Sequence, residues 1–140
     1  MMNEGKEMDK KLNILVAEDD RMSRAFITEF MTAYGSVDAA TNGMEAVDLF
    51  IESIKSKKPY DLLCLDIMMP KVDGLKVLQV VRELEEQQHI EKKIKIIMMS
   101  ALSEVDYVQE AFRLGCDAYA AKPIDTEKVI EAMLNLGLIA

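Results

Sequence analysis

The chain has 140 residues, half of them apolar and 30% charged, and 25 acidic side chains against 17 basic ones leave a net charge of −8. That length suits one domain, and the acidic surplus argues against a non-specific binder of nucleic acid or of an anionic membrane, each of which needs a basic face. No apolar run reaches the roughly 18 residues of a membrane span, so a soluble, cytoplasmic chain is expected.

Residues 1–11 mix Glu4, Lys6, Glu7, Asp9 and Lys10 with no apolar stretch. They read as a flexible arm rather than a signal peptide, with a single unit over 12–140. Apolar runs then alternate with amphipathic stretches. Strands are predicted over residues 13–17, 37–40, 60–65, 94–99 and 118–121. The first and third contain the unbroken runs Ile14-Leu15-Val16-Ala17 and Leu62-Leu63-Cys64-Leu65, which suit central parallel strands covered on both faces.

Helical stripes fill the gaps at three-four spacing. The first is Phe26, Ile27, Phe30, Met31 and Tyr34, with Gly35 placed as a left-handed cap. The second is Ala46, Val47, Phe50, Ile51 and Ile54; the third, after Asp73-Gly74, is Val77, Leu78, Val81 and Leu84. Ser103-Glu104-Val105-Asp106 resembles a capping box ahead of Val108, Ala111 and Phe112, with Gly115 as the stop. Asp125 can cap a last helix carrying Val129, Ile130, Met133 and Leu134 up to Gly137. Five β–α units with short loops imply a parallel sheet with helices on both faces.

Cys64 and Cys116 lie far apart and outside any CxxC motif, so both are expected as reduced, buried thiols. His89 is the only histidine. It sits in a polar segment, which argues against multi-histidine metal sites and a Ser-His-Asp triad.

In a doubly wound sheet the binding crevice lies beyond the carboxyl ends of the strands. Here those ends carry Glu18-Asp19-Asp20, Asp66, Ser100 and Lys122-Pro123. Carboxylates gathered at one point repel unless some are protonated or a cation sits among them. An oxygen-only donor set with few protein ligands describes a Mg²⁺ site. A carboxylate can act as nucleophile and form an acyl phosphate, while an ammonium and a hydroxyl stabilise the transferring oxygens.

The segments Ile14-Leu15-Val16-Ala17-Glu18-Asp19-Asp20, the run from Leu65 through Asp66, Pro70 and Asp73 to Gly74, Met99-Ser100-Ala101 and Tyr119-Ala120-Ala121-Lys122-Pro123 together resemble receiver domains of two-component response regulators, of the stand-alone single-domain type. The likeness spans about residues 12–135. It implies a flavodoxin-like (βα)5 fold, a doubly wound parallel sheet of strand order 2-1-3-4-5. It implies Asp66 as phosphoacceptor, with Glu18, Asp19, Asp66 and the backbone carbonyl of Met68 holding Mg²⁺. Lys122 contacts the phosphoryl group, Ser100 moves toward it, and Tyr119 is the aromatic switch. Asp20 is expected as a helix cap or nearby charge, and the Lys122–Pro123 bond as cis.

The resemblance also implies partners. The donor is a sensor histidine kinase or phosphotransfer protein, and the output is a downstream protein contact through the fourth helix, fifth strand and fifth helix. Tyr107, Arg113, Asp117, Ala120 and Lys128 are the candidates there. A monomer or a phosphorylation-dependent dimer is expected, with no nucleic-acid or membrane contact. The chain would be no enzyme beyond catalysing its own phosphorylation and dephosphorylation. Because it stops where the fifth helix should end, no output domain is expected to follow. Met68 and Leu102 stand where relatives often carry polar groups, which predicts a slowly hydrolysing acyl phosphate. Two other readings compete. One is an aspartyl-nucleophile phosphohydrolase, which would want a second Asp where Met68 stands. The other is a non-phosphorylated receiver-like binding module, which would usually lack the acidic pair, the acceptor or the lysine.

Overall fold

In this computed structural model the residues described are 11–101 and 105–140. Five strands, β1 (Leu12–Ala17), β2 (Gly35–Ala40), β3 (Leu62–Asp66), β4 (Lys95–Ser100) and β5 (Ala118–Ala121), alternate among them with five helices. These are α1 (Arg21–Met31), α2 (Gly43–Lys55), α3 (Gly74–Gln87), α4 (Val105–Leu114) and α5 (Thr126–Asn135). All four strand pairings are parallel, in the order β2-β1-β3-β4-β5. This is the flavodoxin-like, doubly wound order that the resemblance implies.

The unbroken apolar runs become the central strands because both of their faces are covered. Leu15, Leu63, Leu65, Ile96 and Met98 pack under Phe50 of α2, Val77, Leu78 and Val81 of α3, and Ala111 of α4. Ile14, Val16, Cys64, Ile97 and Met99 point the other way, under Ile27 and Met31 of α1 and Val129 and Met133 of α5. Each such side chain, fully buried, contributes about 1.5–3 kcal/mol. Burial pushes the Cys64 thiol up to about 12, and burial followed by the charge of Asp117 pushes Cys116 up to about 11. Both are the inert, reduced cysteines expected.

Helix starts follow the capping rule. Asp20, Asn42, Asp73 and Asp125 accept hydrogen bonds from the backbone N–H of Ser23, Glu45, Lys76 and Glu127. Gly115 (φ +110°) and Gly137 (φ +76°) take the left-handed conformation beyond α4 and α5. Gly35 does not. It opens β2, and a Cβ there would lie 2.0 Å from the Leu12 carbonyl oxygen, so its smallness serves a close strand approach rather than a cap.

Other expectations need correction. Tyr60 precedes β3, and Asp66 is its last residue rather than the one after it. Phe26, Phe112 and Leu134, predicted on buried stripes, are about half exposed. His89 is exposed in the turn after α3. The arm expected over residues 1–11 lies, apart from exposed Lys11, outside the described residues, as do Leu102 and the Ser103-Glu104 part of the capping box. No helix among the described residues is long and apolar enough to cross a membrane.

Candidate functional site

The apolar run of β1 ends where its next residue reaches the sheet's edge, and the change is abrupt. Glu18 is fully buried, while Asp19 and Asp20 are exposed. Glu18 Oε2 accepts from the Asp20 backbone N–H at 3.0 Å, and Oε1 lies 2.7 Å from Lys122 Nζ. The same ammonium reaches Asp66 Oδ1 at 3.2 Å. Lys122 therefore bridges the acids that close β1 and β3. Carboxylate oxygens of Glu18, Asp19 and Asp66 lie within 4.8 Å of one another.

Local backbone geometry brings these groups together. The Lys122 backbone N–H donates to Ser100 O at 2.8 Å, and that of Ile67 to Met99 O at 3.0 Å, tying the exits of β3, β4 and β5. The Lys122–Pro123 peptide is cis. The loop leaving Asp66 folds back so that Gly74 donates to Ile67 O at 2.7 Å. A Cβ on Gly74 would stand 2.1 Å from the Asp66 carbonyl oxygen, so only glycine permits that approach.

Crowding shapes the charge state. Burial, and then the charge and hydrogen bond of Glu18, push Asp66 up to about 7 against a smaller opposing pull from Lys122. Burial alone would lower the Lys122 ammonium. The hydrogen bond to Glu18 and the charge of Asp66 outweigh it, so Lys122 titrates above its ordinary range. Asp20 is an N-cap rather than a member of the cluster, and its bonds from Ser23 hold it below the usual carboxylate range.

Three carboxylates facing one ammonium leave a formal surplus of negative charge, and every donor atom is oxygen. This set fits a hard divalent cation of the Mg²⁺ class, with Glu18, Asp19 and Asp66 as the residues to hold it. Ser100 is fully buried and its Oγ has no hydrogen-bond partner among the described residues. An unpartnered buried hydroxyl costs about 1–3 kcal/mol, a cost that an arriving hydrogen-bond acceptor would relieve.

Met68 is 50% exposed in the loop after β3, and Tyr119 is half-buried on β5. Of the output-face candidates, Tyr107, Arg113 and Lys128 are exposed. Ala120 is buried in the core beside Val129. Asp117 is engaged with Arg82 at 2.9 Å and with the Ile96 N–H at 2.8 Å. Neither is a free surface group. Sequence reading missed Arg24, whose Nη1 donates to the carbonyls of Glu18 (3.0 Å) and Asp19 (3.2 Å). A basic residue one turn into the helix after an acidic loop was the available signal.

A response regulator receiver domain family model matches residues 14–134. Chemotaxis protein CheY of Treponema pallidum is 32% identical over 126 residues, covering 88% of this chain and 81% of that protein. Transcriptional regulatory protein RprY of Bacteroides fragilis is 34% identical over 133 residues, covering 92% of this chain but 52% of that protein. A solved CheX–CheY–BeF3–Mg²⁺ complex from Borrelia burgdorferi matches with 29% identity and a TM-score of 0.73, covering 89% of this chain and 88% of that one. The chain thus belongs to the response regulator receiver domains, the signalling modules of two-component systems.

Proposed function

We propose that Asp66 accepts a phosphoryl group from a phosphohistidine on a sensor histidine kinase or phosphotransfer protein, and that the modified chain then engages a downstream protein through its α4–β5–α5 face. The observation that carries this reading is the meeting of Glu18, Asp19, Asp66 and Lys122 in one cluster at the carboxyl ends of the strands.

In the transfer, an Asp66 oxygen bonds to phosphorus while the P–N bond to the donor imidazole breaks, its electron pair leaving on the ring nitrogen. Lys122, already against Asp66, is positioned to receive charge building on the phosphoryl oxygens, and Glu18 holds it in place. The spare Ser100 hydroxyl is a second donor to those oxygens. Glu18, Asp19, Asp66 and the Met68 carbonyl would hold Mg²⁺, which supplies further charge neutralisation when bound. Hydrolysis later splits the Asp66 O–P bond and restores the carboxylate. Movement of Ser100 toward the phosphate, followed by Tyr119, is the two-state element biased by the new charge. Contact is through protein, and the modified chain acts as a monomer or a phosphorylation-dependent dimer.

The CheY complex from Borrelia burgdorferi was solved with Mg²⁺, BeF3 and the protein CheX, which supports a metal and a protein partner for the related site here. The test is incubation with Mg²⁺ and a small acyl-phosphate donor, followed by intact mass. A gain of one phosphoryl group that Asp66→Asn abolishes is expected. A chain that stays unmodified favours the binding-module reading, and steady turnover of the donor without retained label favours a phosphohydrolase.

A further inference from the structure

The acids of the pocket are not equally anchored. Glu18 is buried, its Oε2 accepts from the Asp20 N–H and its Oε1 is ion-paired with Lys122. Asp66 ends a buried strand and faces the same ammonium. Asp19 is exposed, and its carboxylate has no hydrogen-bond partner among the described residues. It nonetheless lies within 4.8 Å of the other two.

We propose that Arg24 is the positioning residue that holds Asp19 in the cation-binding arrangement, through the hydrogen bonds from its guanidinium to the carbonyls of Glu18 and Asp19. One nitrogen, Nη1, donates to both, at 3.0 and 3.2 Å. Two successive carbonyls captured by one rigid planar group fix the peptide between them, and with it the direction in which Asp19 leaves the chain. Arg24 comes from the first turns of α1, and its own N–H donates to Asp20 O at 2.8 Å, so the helix and the acidic loop form one unit. The same guanidinium sets a full positive charge beside three consecutive acids. Lysine keeps that charge, but carries its donors on a flexible stem and so fixes the peptide less firmly.

The inference rests on the pocket being a Mg²⁺ site, so the experiment reads metal binding without any phosphoryl donor. Amide chemical shifts of the ¹⁵N-labelled full chain are followed during Mg²⁺ titration for wild type, Arg24→Met and Arg24→Lys. Phosphorylation rates are then measured across the same Mg²⁺ range. The expectation for Arg24→Met is a dissociation constant raised about tenfold, the usual size for an outer-shell partner, with the rate at saturating Mg²⁺ within about twofold of wild type. Arg24→Lys should fall between the two. Unchanged Mg²⁺ affinity in Arg24→Met overturns the inference. So does a rate that falls at saturation while half-saturation stays put. Wild-type affinity in Arg24→Lys also overturns it, because the fixed guanidinium would then not be what positions Asp19. Should Arg24→Met fail to fold, the Arg24→Lys titration decides by the same criterion. A wild-type chain that shows no Mg²⁺-dependent shift removes the metal-site reading itself, and this inference with it.

Discussion

Two clusters of acids and a cation are built into opposite ends of this sheet, and they are finished differently. At the amino ends of β4 and β5, Arg82 donates to Glu85 (2.6 Å), Asp117 (2.9 Å), Gly115 O and Ile94 O. Glu85 and Asp117 also accept from the backbone N–H of Ile94 and Ile96. Every guanidinium nitrogen of Arg82 is engaged there, and each acid is also held by a backbone N–H. At the carboxyl ends, Glu18 and Asp66 share Lys122 while Asp19 lies close by, Asp66 is pushed up to about 7, and Ser100 Oγ has no partner among the described residues. The first cluster clamps α3 to two strand entrances. The second leaves a surplus of negative charge and an unpartnered hydroxyl. A cluster whose polar groups are all satisfied marks structure; one left open inside a rigid frame marks chemistry.

The contrast can be broken most sharply by mutating each side. Arg82→Ala leaves Glu85, only 1% exposed, without its cation. It should cost about 3–5 kcal/mol in urea unfolding, and a loss below about 1 kcal/mol would deny the closed cluster its structural role. Asp66→Asn should do the reverse and stabilise the metal-free chain at pH 8. Folded Asp66 titrates near 7 against 3.8 for an unperturbed carboxyl. Its proton is therefore held more tightly in the native state, and its favourable contribution is present below 3.8 and lost as pH rises through 7. The gain from Asn should grow from near zero at pH 4 to a few kcal/mol at pH 8, at roughly 1.4 kcal/mol per pKa unit. A gain independent of pH would show that crowding with Glu18 is not its source.

Lys122→Ala should slow phosphorylation by a small-molecule donor about 100-fold, as expected for a group that meets developing charge. A rate close to wild type would assign the ammonium to Glu18 alone. The smallest effect is expected at the pocket's rim. Met68 is apolar and half exposed beside Asp66, and Met68→Asn offers attacking water a polar partner, shortening the acyl-phosphate half-life several-fold. An unchanged half-life would show that position 68 does not limit hydrolysis.

The open cluster was legible in the sequence because each member terminates an apolar run, so strand order alone gathers Glu18, Asp66, Ser100 and Lys122 at one edge. The closed cluster was not. Arg82 and Asp117 are 35 residues apart and belong to no motif, so only the folded chain brings them together. Arg24 escaped notice for a related reason: it acts on carbonyl oxygens, which every residue has. Gly35 followed a helical stripe and so read as a cap, but strand packing against Leu12 decides its place. The stripes overreached at Phe26, Phe112 and Leu134 because three-four spacing gives a face without its width.

The most direct test locates the modification. An aspartyl phosphate is an acyl phosphate, so borohydride reduces it to homoserine, and peptide mapping then reads the position. The chain treated with Mg²⁺ and donor should yield homoserine at residue 66. Homoserine at another aspartate, or none in a chain whose Mg²⁺ site is shown to be filled, would contradict Asp66 as the acceptor.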